Sequence, residues 1–146
     1  MYGRTLRNGD THFIGFDAVG PGWHPILDEL DHQFVMITGM DTSEHMKVKV
    51  LQIKEKFGQL RIYCDFRAFD EGKRKLLAKA VADAEDKSAT ICEVCGQPGT
   101  QAGKWVKTFC AEHHRVQEET GKSPLQEFWD KVNDGTADGQ KSRPRT

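Results

Sequence analysis

The side chains best suited to chemistry are four cysteines and six histidines. Three of the cysteines and two of the histidines lie in one stretch, ICEVCGQPGTQAGKWVKTFCAEHH. There Cys92 and Cys95 form a Cys-x-x-Cys pair, and Cys110 and His113 form a Cys-x-x-His pair after a spacer of 14 residues. Zinc asks for this arrangement: thiolate and imidazole ligands, placed tetrahedrally, from two short segments that a turn brings together. Gly96 lets the first pair close into a knuckle with backbone N–H groups toward the sulfurs. GKWVKTF reads as a short hairpin arm leading back to the metal. Cys110 and His113, three residues apart, share one face of the first turn of a following helix. His114 starts on the same turn and is the alternative fourth ligand. Four protein ligands close the site, whereas a catalytic zinc keeps a position for water. The expectation is one structural Zn2+. Polar neighbours such as Glu93 and Glu112 speak against free cysteines in a deep core.

Two further sets of residues invite a reading. His24, Asp28, Asp31 and His32 fall on the polar flank of an amphipathic segment. A solvated flank is the ordinary reading, and a second metal or acid–base site the sharper one. Lys47, Lys49, Arg61, Tyr63 and Arg67 can share one face of a hairpin, with Lys73, Arg74 and Lys75 nearby. Cations interleaved with an aromatic can hold phosphate and stack a base. Cys64 stands apart from both and reads as a small core residue.

The elements that must position these groups follow from periodicity. Trp23, Ile26, Leu27, Leu30, Phe34 and Ile37 recur at spacings of three and four, which predicts a helix over 24–38 with Pro25 in its first turn and Gly39 as its stop. Residues 46–66 read as a hairpin turning at Gly58, and Leu60, Ile62, Cys64 and Phe66 form the buried face of its second strand. The first strand changes face between Val50 and Leu51, which calls for a bulge or for cover on both sides. Asp70 can cap a helix over 71–88 with an apolar stripe of Leu76, Leu77, Ala80, Val81 and Ala84. A third helix is expected from Ala111 to Thr120. A fourth starts at Ser123, with Gln126 completing a capping box and Leu125, Phe128, Trp129 and Val132 on its apolar face. The fold class is therefore α+β. Residues 1–20 form an irregular segment, 21–90 an α-β-β-α domain, 91–121 the zinc module, 122–134 a C-terminal helix and 135–146 a disordered tail. The order of knuckle, hairpin and helix within the module resembles the treble-clef class of zinc fingers.

Composition narrows the function classes without naming one. The formal net charge is −1, which argues against a polybasic protein or an acidic nucleic-acid mimic. The balance is uneven: residues 47–79 carry ten basic and four acidic side chains, a candidate contact surface for something anionic. No apolar run approaches the roughly 18 residues of a membrane span, and MYGRTLRNGDTHFIGF lacks the core of a signal peptide. A soluble, cytoplasmic protein without disulfides is expected.

The blocks GW-x-PILDEL, QIKEKFGQLRIY and CEVCG…C-x-x-H, in that order, resemble a family of small proteins often encoded by phages and prophages. The resemblance covers most of residues 21–114 and implies architecture and a bacterial-host setting; it implies no reaction. Three functions compete. A non-enzymatic module could engage a host or phage protein, as takeover or counter-defence inhibitors do. A nucleic-acid-binding protein would use the basic hairpin face. A treble-clef nuclease would need a general-base histidine on the zinc hairpin, and no histidine lies between Gly96 and Cys110. The first is the expected one, with no membrane partner.

Overall fold

A computed structural model describes residues 18–39 and 48–133. A single 3-10 turn, Pro21–Trp23, leads into helix α1 (His24–Thr38), followed by strands β1 (Lys49–Lys56) and β2 (Gln59–Asp65) and helix α2 (Glu71–Ser88). Strands β3 (Thr100–Ala102) and β4 (Lys107–Phe109) then form a second small sheet, and helices α3 (Ala111–Thr120) and α4 (Gln126–Asn133) close the chain. The architecture is α+β in the order expected. Residues 1–17, 40–47 and 134–146 lie outside the described residues, and with them Lys47, most of the irregular N-terminal segment and the disordered-tail assignment.

Helices α1 and α2 pack on each other and on one face of the β1–β2 hairpin. The α1 stripe reads as its spacing predicts: Trp23, Ile26, Leu27, Leu30 and Phe34 are all buried. Leu77, Val81 and Ala84 meet them from α2. The α2 stripe is narrower than expected, since Leu76 sits outside the arc that faces α1 and β2 and is 54% exposed. Asp70 caps α2 by accepting from the Lys73 N–H at 2.9 Å.

The change of face in β1 is a bulge. Val50 pairs with Cys64 and Gln52 with Tyr63, so Leu51 is the extra residue. The bulge returns Val48, Val50 and Ile53 to the buried face and sends Lys54 and Lys56 to the open one. Along the free edge of β2, α2 supplies the missing acceptors. The Leu60 N–H donates to Ser88 Oγ at 2.8 Å and the Ile62 N–H to Glu85 Oε2 at 2.9 Å. Covering the edge at Leu60 and Ile62 blunts it as a pairing template there.

Helix α4 begins at Gln126, later than its capping signature suggests. Ser123 does bond forward to the Leu125 N–H, but Gln126 turns its amide to Asp130 Oδ1 at 2.9 Å, so no reciprocal box forms. Leu125 is buried, and with Cys92 and Phe109 it forms a second, smaller core beside the first. No helix among the described residues is long and apolar enough to cross a membrane.

Candidate metal centre

The metal-ligand spacing becomes a site because three backbone features converge. The knuckle closes through the Gly96 N–H to the Cys92 carbonyl, 2.9 Å, and the Cys92 N–H to the Gln97 carbonyl, 2.7 Å. Sheet β3–β4 pairs Thr100 with Phe109 and returns the chain to Cys110. Cys110 then occupies the N-cap of α3, which brings His113 round by one turn.

The result is a compact quartet. Cys92 Sγ, Cys95 Sγ, Cys110 Sγ and a ring nitrogen of His113 lie within 4.8 Å of one another. Cys95 Sγ and Cys110 Sγ are 3.8 Å apart. His113 Nδ1 stands 3.4 Å from Cys92 Sγ and 3.2 Å from Cys110 Sγ. Around a tetrahedral ion with bonds of about 2.3 Å to sulfur and about 2.0 Å to nitrogen, ligand atoms sit roughly 3.5–3.8 Å apart. The Cys95–Cys110 edge matches the sulfur–sulfur value, and the two sulfur–nitrogen edges, at 3.4 and 3.2 Å, lie slightly inside theirs. A disulfide would need sulfurs at about 2.05 Å. The four residues fit a single metal site.

Electrostatics within the quartet divides the thiols. Burial pushes Cys95 up to about 11, its neighbouring thiols add to the effect, and the Gln97 N–H pulls the other way. At Cys110 burial also opposes ionisation, yet the N–H groups of His113 and Glu112 and the adjoining thiols outweigh it and hold the pKa below the usual thiol value. Like charges this close drive each other's proton affinities apart. A cation among them removes that conflict.

His114 is not part of the quartet. Its Nε2 lies 2.8 Å from the Thr100 carbonyl and its ring packs on Phe109 at 5.3 Å. It ties α3 to β3, so the geometry puts His113 rather than His114 beside the three sulfurs. Cys64 is remote and packs against the main core. Burial and the Glu85 charge push its thiol up to about 12. Among the described residues, no second group of three or more histidine, cysteine or carboxylate ligands gathers. Of the helix-flank set, Asp31 is buried rather than solvated, His24 packs on Phe128 and its Nε2 lies 3.3 Å from the Val19 carbonyl, Asp28 is half-buried, and only His32 is exposed.

Glu93 corrects an expectation. It is 1% exposed, although its type and position suggested surface. Its Oε2 accepts from the Gly20 N–H at 3.0 Å, and Oε1 has no partner. Burial drives its carboxyl up to about 7, against the pull of the Gly20 N–H and Lys107, with Glu55 adding to the rise. The Glu93 backbone is also fully engaged, donating to the Thr108 carbonyl at 2.9 Å and accepting from the Gly22 N–H at 2.8 Å. Trp23 Nε1 donates to the Ile91 carbonyl at 2.8 Å. On the other side Lys107 Nζ meets Glu55 Oε1 at 2.9 Å, and Thr108 Oγ1 donates to the Gly58 carbonyl. The metal centre is thus fastened to both the start of α1 and the turn of β1–β2. Glu112, by contrast, is exposed and pairs with Arg115.

The basic hairpin set is partly assembled. Lys49, Arg61 and Tyr63 share the open face of β1–β2, opposite Asp65, Lys54 and Gln52 respectively. Arg67 lies just past the strand and grips Asp65 at 2.8 Å. Hydrogen bonds from Arg67 hold the Asp65 carboxyl near 2. Of the neighbouring basic run on α2, Lys75 pairs with Glu71 and Arg74 donates to the Phe69 carbonyl. Sequence reasoning missed Lys54 and Lys56 on the open face, and the signal that would have found them was the bulge. Comparison with protein-family models, curated proteins and solved structures returns no match.

Proposed function

We propose that the protein is a zinc-stabilised, non-catalytic binding module that takes an anionic partner on the open face of the β1–β2 hairpin. The observation that carries this reading is the closed quartet of Cys92, Cys95, Cys110 and His113, whose mutual distances suit one tetrahedral ion. Three thiols and an imidazole favour zinc over harder cations. When bound, the ion would supply folding energy, on the order of 10 kcal/mol in isolated zinc modules. The protein groups do the rest: the knuckle amides orient the sulfurs, and Glu93 and Trp23 fix the knuckle on α1. The order of knuckle, β3–β4 and α3 supports a treble-clef-like module. His114, engaged with Thr100, makes a poor general base and weakens the nuclease reading. The resemblance to small phage and prophage proteins supports action in a bacterial cytoplasm, in takeover or counter-defence.

Native mass spectrometry of the purified chain is expected to show one zinc per molecule. Cys92→Ser should lose it together with amide protection over residues 90–120, while Cys64→Ser should retain it. Zinc-free protein that is fully folded would overturn the structural role. Hydrolysis of single- or double-stranded nucleic acid with magnesium or manganese, abolished by His114→Ala, would overturn the non-catalytic one.

A further inference from the structure

The open face of the β1–β2 hairpin breaks two rules of its own secondary structure. The first concerns charge. Lys54 and Arg61 stand directly opposite each other on the ladder, and like charges so placed repel. Lys49 and Lys56 extend the row along β1. The acid on this face, Asp65, is held by Arg67 through Nε and Nη2. Lys54, Lys56 and Arg61 make no ion pair among the described residues.

The second rule concerns the backbone. The turn runs through Phe57 at φ 55° and Gly58 at φ 78°, the pattern of a two-residue hairpin that selects Asn-Gly or Gly-Gly. A bulky side chain is strained at positive φ. Burial does not offset the strain, because Phe57 is 65% exposed. Both exposed rings lie beside cations: Lys56 Nζ is 5.7 Å from the Phe57 ring centre, and Lys54 Nζ is 5.6 Å from that of Tyr63. Violations of local preference that fold stability does not require tend to mark working surfaces.

We propose that this face binds single-stranded nucleic acid. Lys49, Lys54, Lys56 and Arg61 hold phosphates, and Tyr63 and Phe57 offer rings on which bases stack. The proposal rests on the reading that this face is the working surface, and names its partner. A polyanion neutralises the Lys54–Arg61 repulsion, and stacking gives the exposed rings a use. The lysine-rich composition speaks against a protein partner, since interface cores favour arginine and deplete lysine. A single strand is favoured over duplex because Phe57 and Tyr63 are both exposed, and only unstacked bases offer a face to such rings.

The test is fluorescence anisotropy of a labelled oligothymidylate with the full zinc-loaded chain across a salt series. Four phosphate contacts should give a slope of log affinity on log salt close to −3, at about −0.7 per contact. The double variant Lys54→Gln, Arg61→Gln should halve that slope. Tyr63→Ala should weaken binding roughly five- to a hundredfold while leaving the slope alone. Zinc content and circular dichroism verify that each variant is folded. Polyglutamate and a duplex of mixed sequence serve as competing ligands. Binding of polyglutamate but not oligothymidylate, lost in the double variant, would overturn the nucleic-acid assignment and leave the anionic-partner reading standing. Binding of neither would overturn both. Duplex bound as tightly as single strand, with Tyr63→Ala silent, would overturn the stacking proposal.

Discussion

At Phe57 a strained backbone carries a ring that stays in water. Asparagine tolerates the left-handed region, where other side chains lose roughly 1–2 kcal/mol, and little burial is forfeited at this site. Phe57→Asn should therefore raise the urea midpoint, by about 1 kcal/mol of stability. A lowered midpoint would show that the ring is a packing element. Cys64 gives a pH prediction. Its folded pKa of about 12 lies above the ordinary thiol value of 9.0. Its contribution to stability is thus fully present below pH 9 and is lost as pH rises toward 12. Alkaline denaturation should be milder for Cys64→Ala over that window, and native protein should resist alkylation at Cys64 near neutral pH. The ligand residues were legible in the sequence because their spacing is local: two four-residue pairs and a helix start. Glu93 was not, because a partner 73 residues away, Gly20, decides its burial.

Elements were legible where periodicity was long. Helix α1 has its predicted bounds, and α3 runs from Ala111 to Thr120 as its pattern indicates. The bulge at Leu51 was visible only as an ambiguity, since its resolution depends on which face α1 and α2 cover. Helix α4 starts late because the Gln126 amide found Asp130 instead of the cap. The join between elements was not legible at all. Gly22 shows why: a Cβ there would collide with the Cys92 carbonyl and come within 2.6 Å of the Gly96 nitrogen. Both obstacles are backbone and cannot swing aside. Gly22→Ala should destabilise the protein by about 1–3 kcal/mol or more and weaken metal retention without touching a ligand. Equal zinc affinity and an unchanged denaturation midpoint in this variant would show that the knuckle and the start of α1 do not depend on their close approach.

Across the whole molecule, the metal centre is coupled to the larger core rather than appended to it. The Gly22 N–H to Glu93, the Trp23 indole to Ile91 and the Thr108 hydroxyl to Gly58 each join residues 91–121 to the elements of the larger core. Removing the metal should consequently loosen more than the module. Chelation at neutral pH is expected to lower amide protection in α1 and at the β1–β2 turn as well as in residues 91–121, in one cooperative loss. Protection lost from 91–121 alone would mean that the cores are independent. All of this depends on the identity and closure of the site. X-ray absorption at the zinc edge of the purified protein tests both at once. Three sulfur scatterers near 2.3 Å and one imidazole nitrogen near 2.0 Å, with no further oxygen, is the expected shell. A water oxygen in the shell, fewer than three sulfurs, or no zinc signal would contradict a closed structural site at Cys92, Cys95, Cys110 and His113.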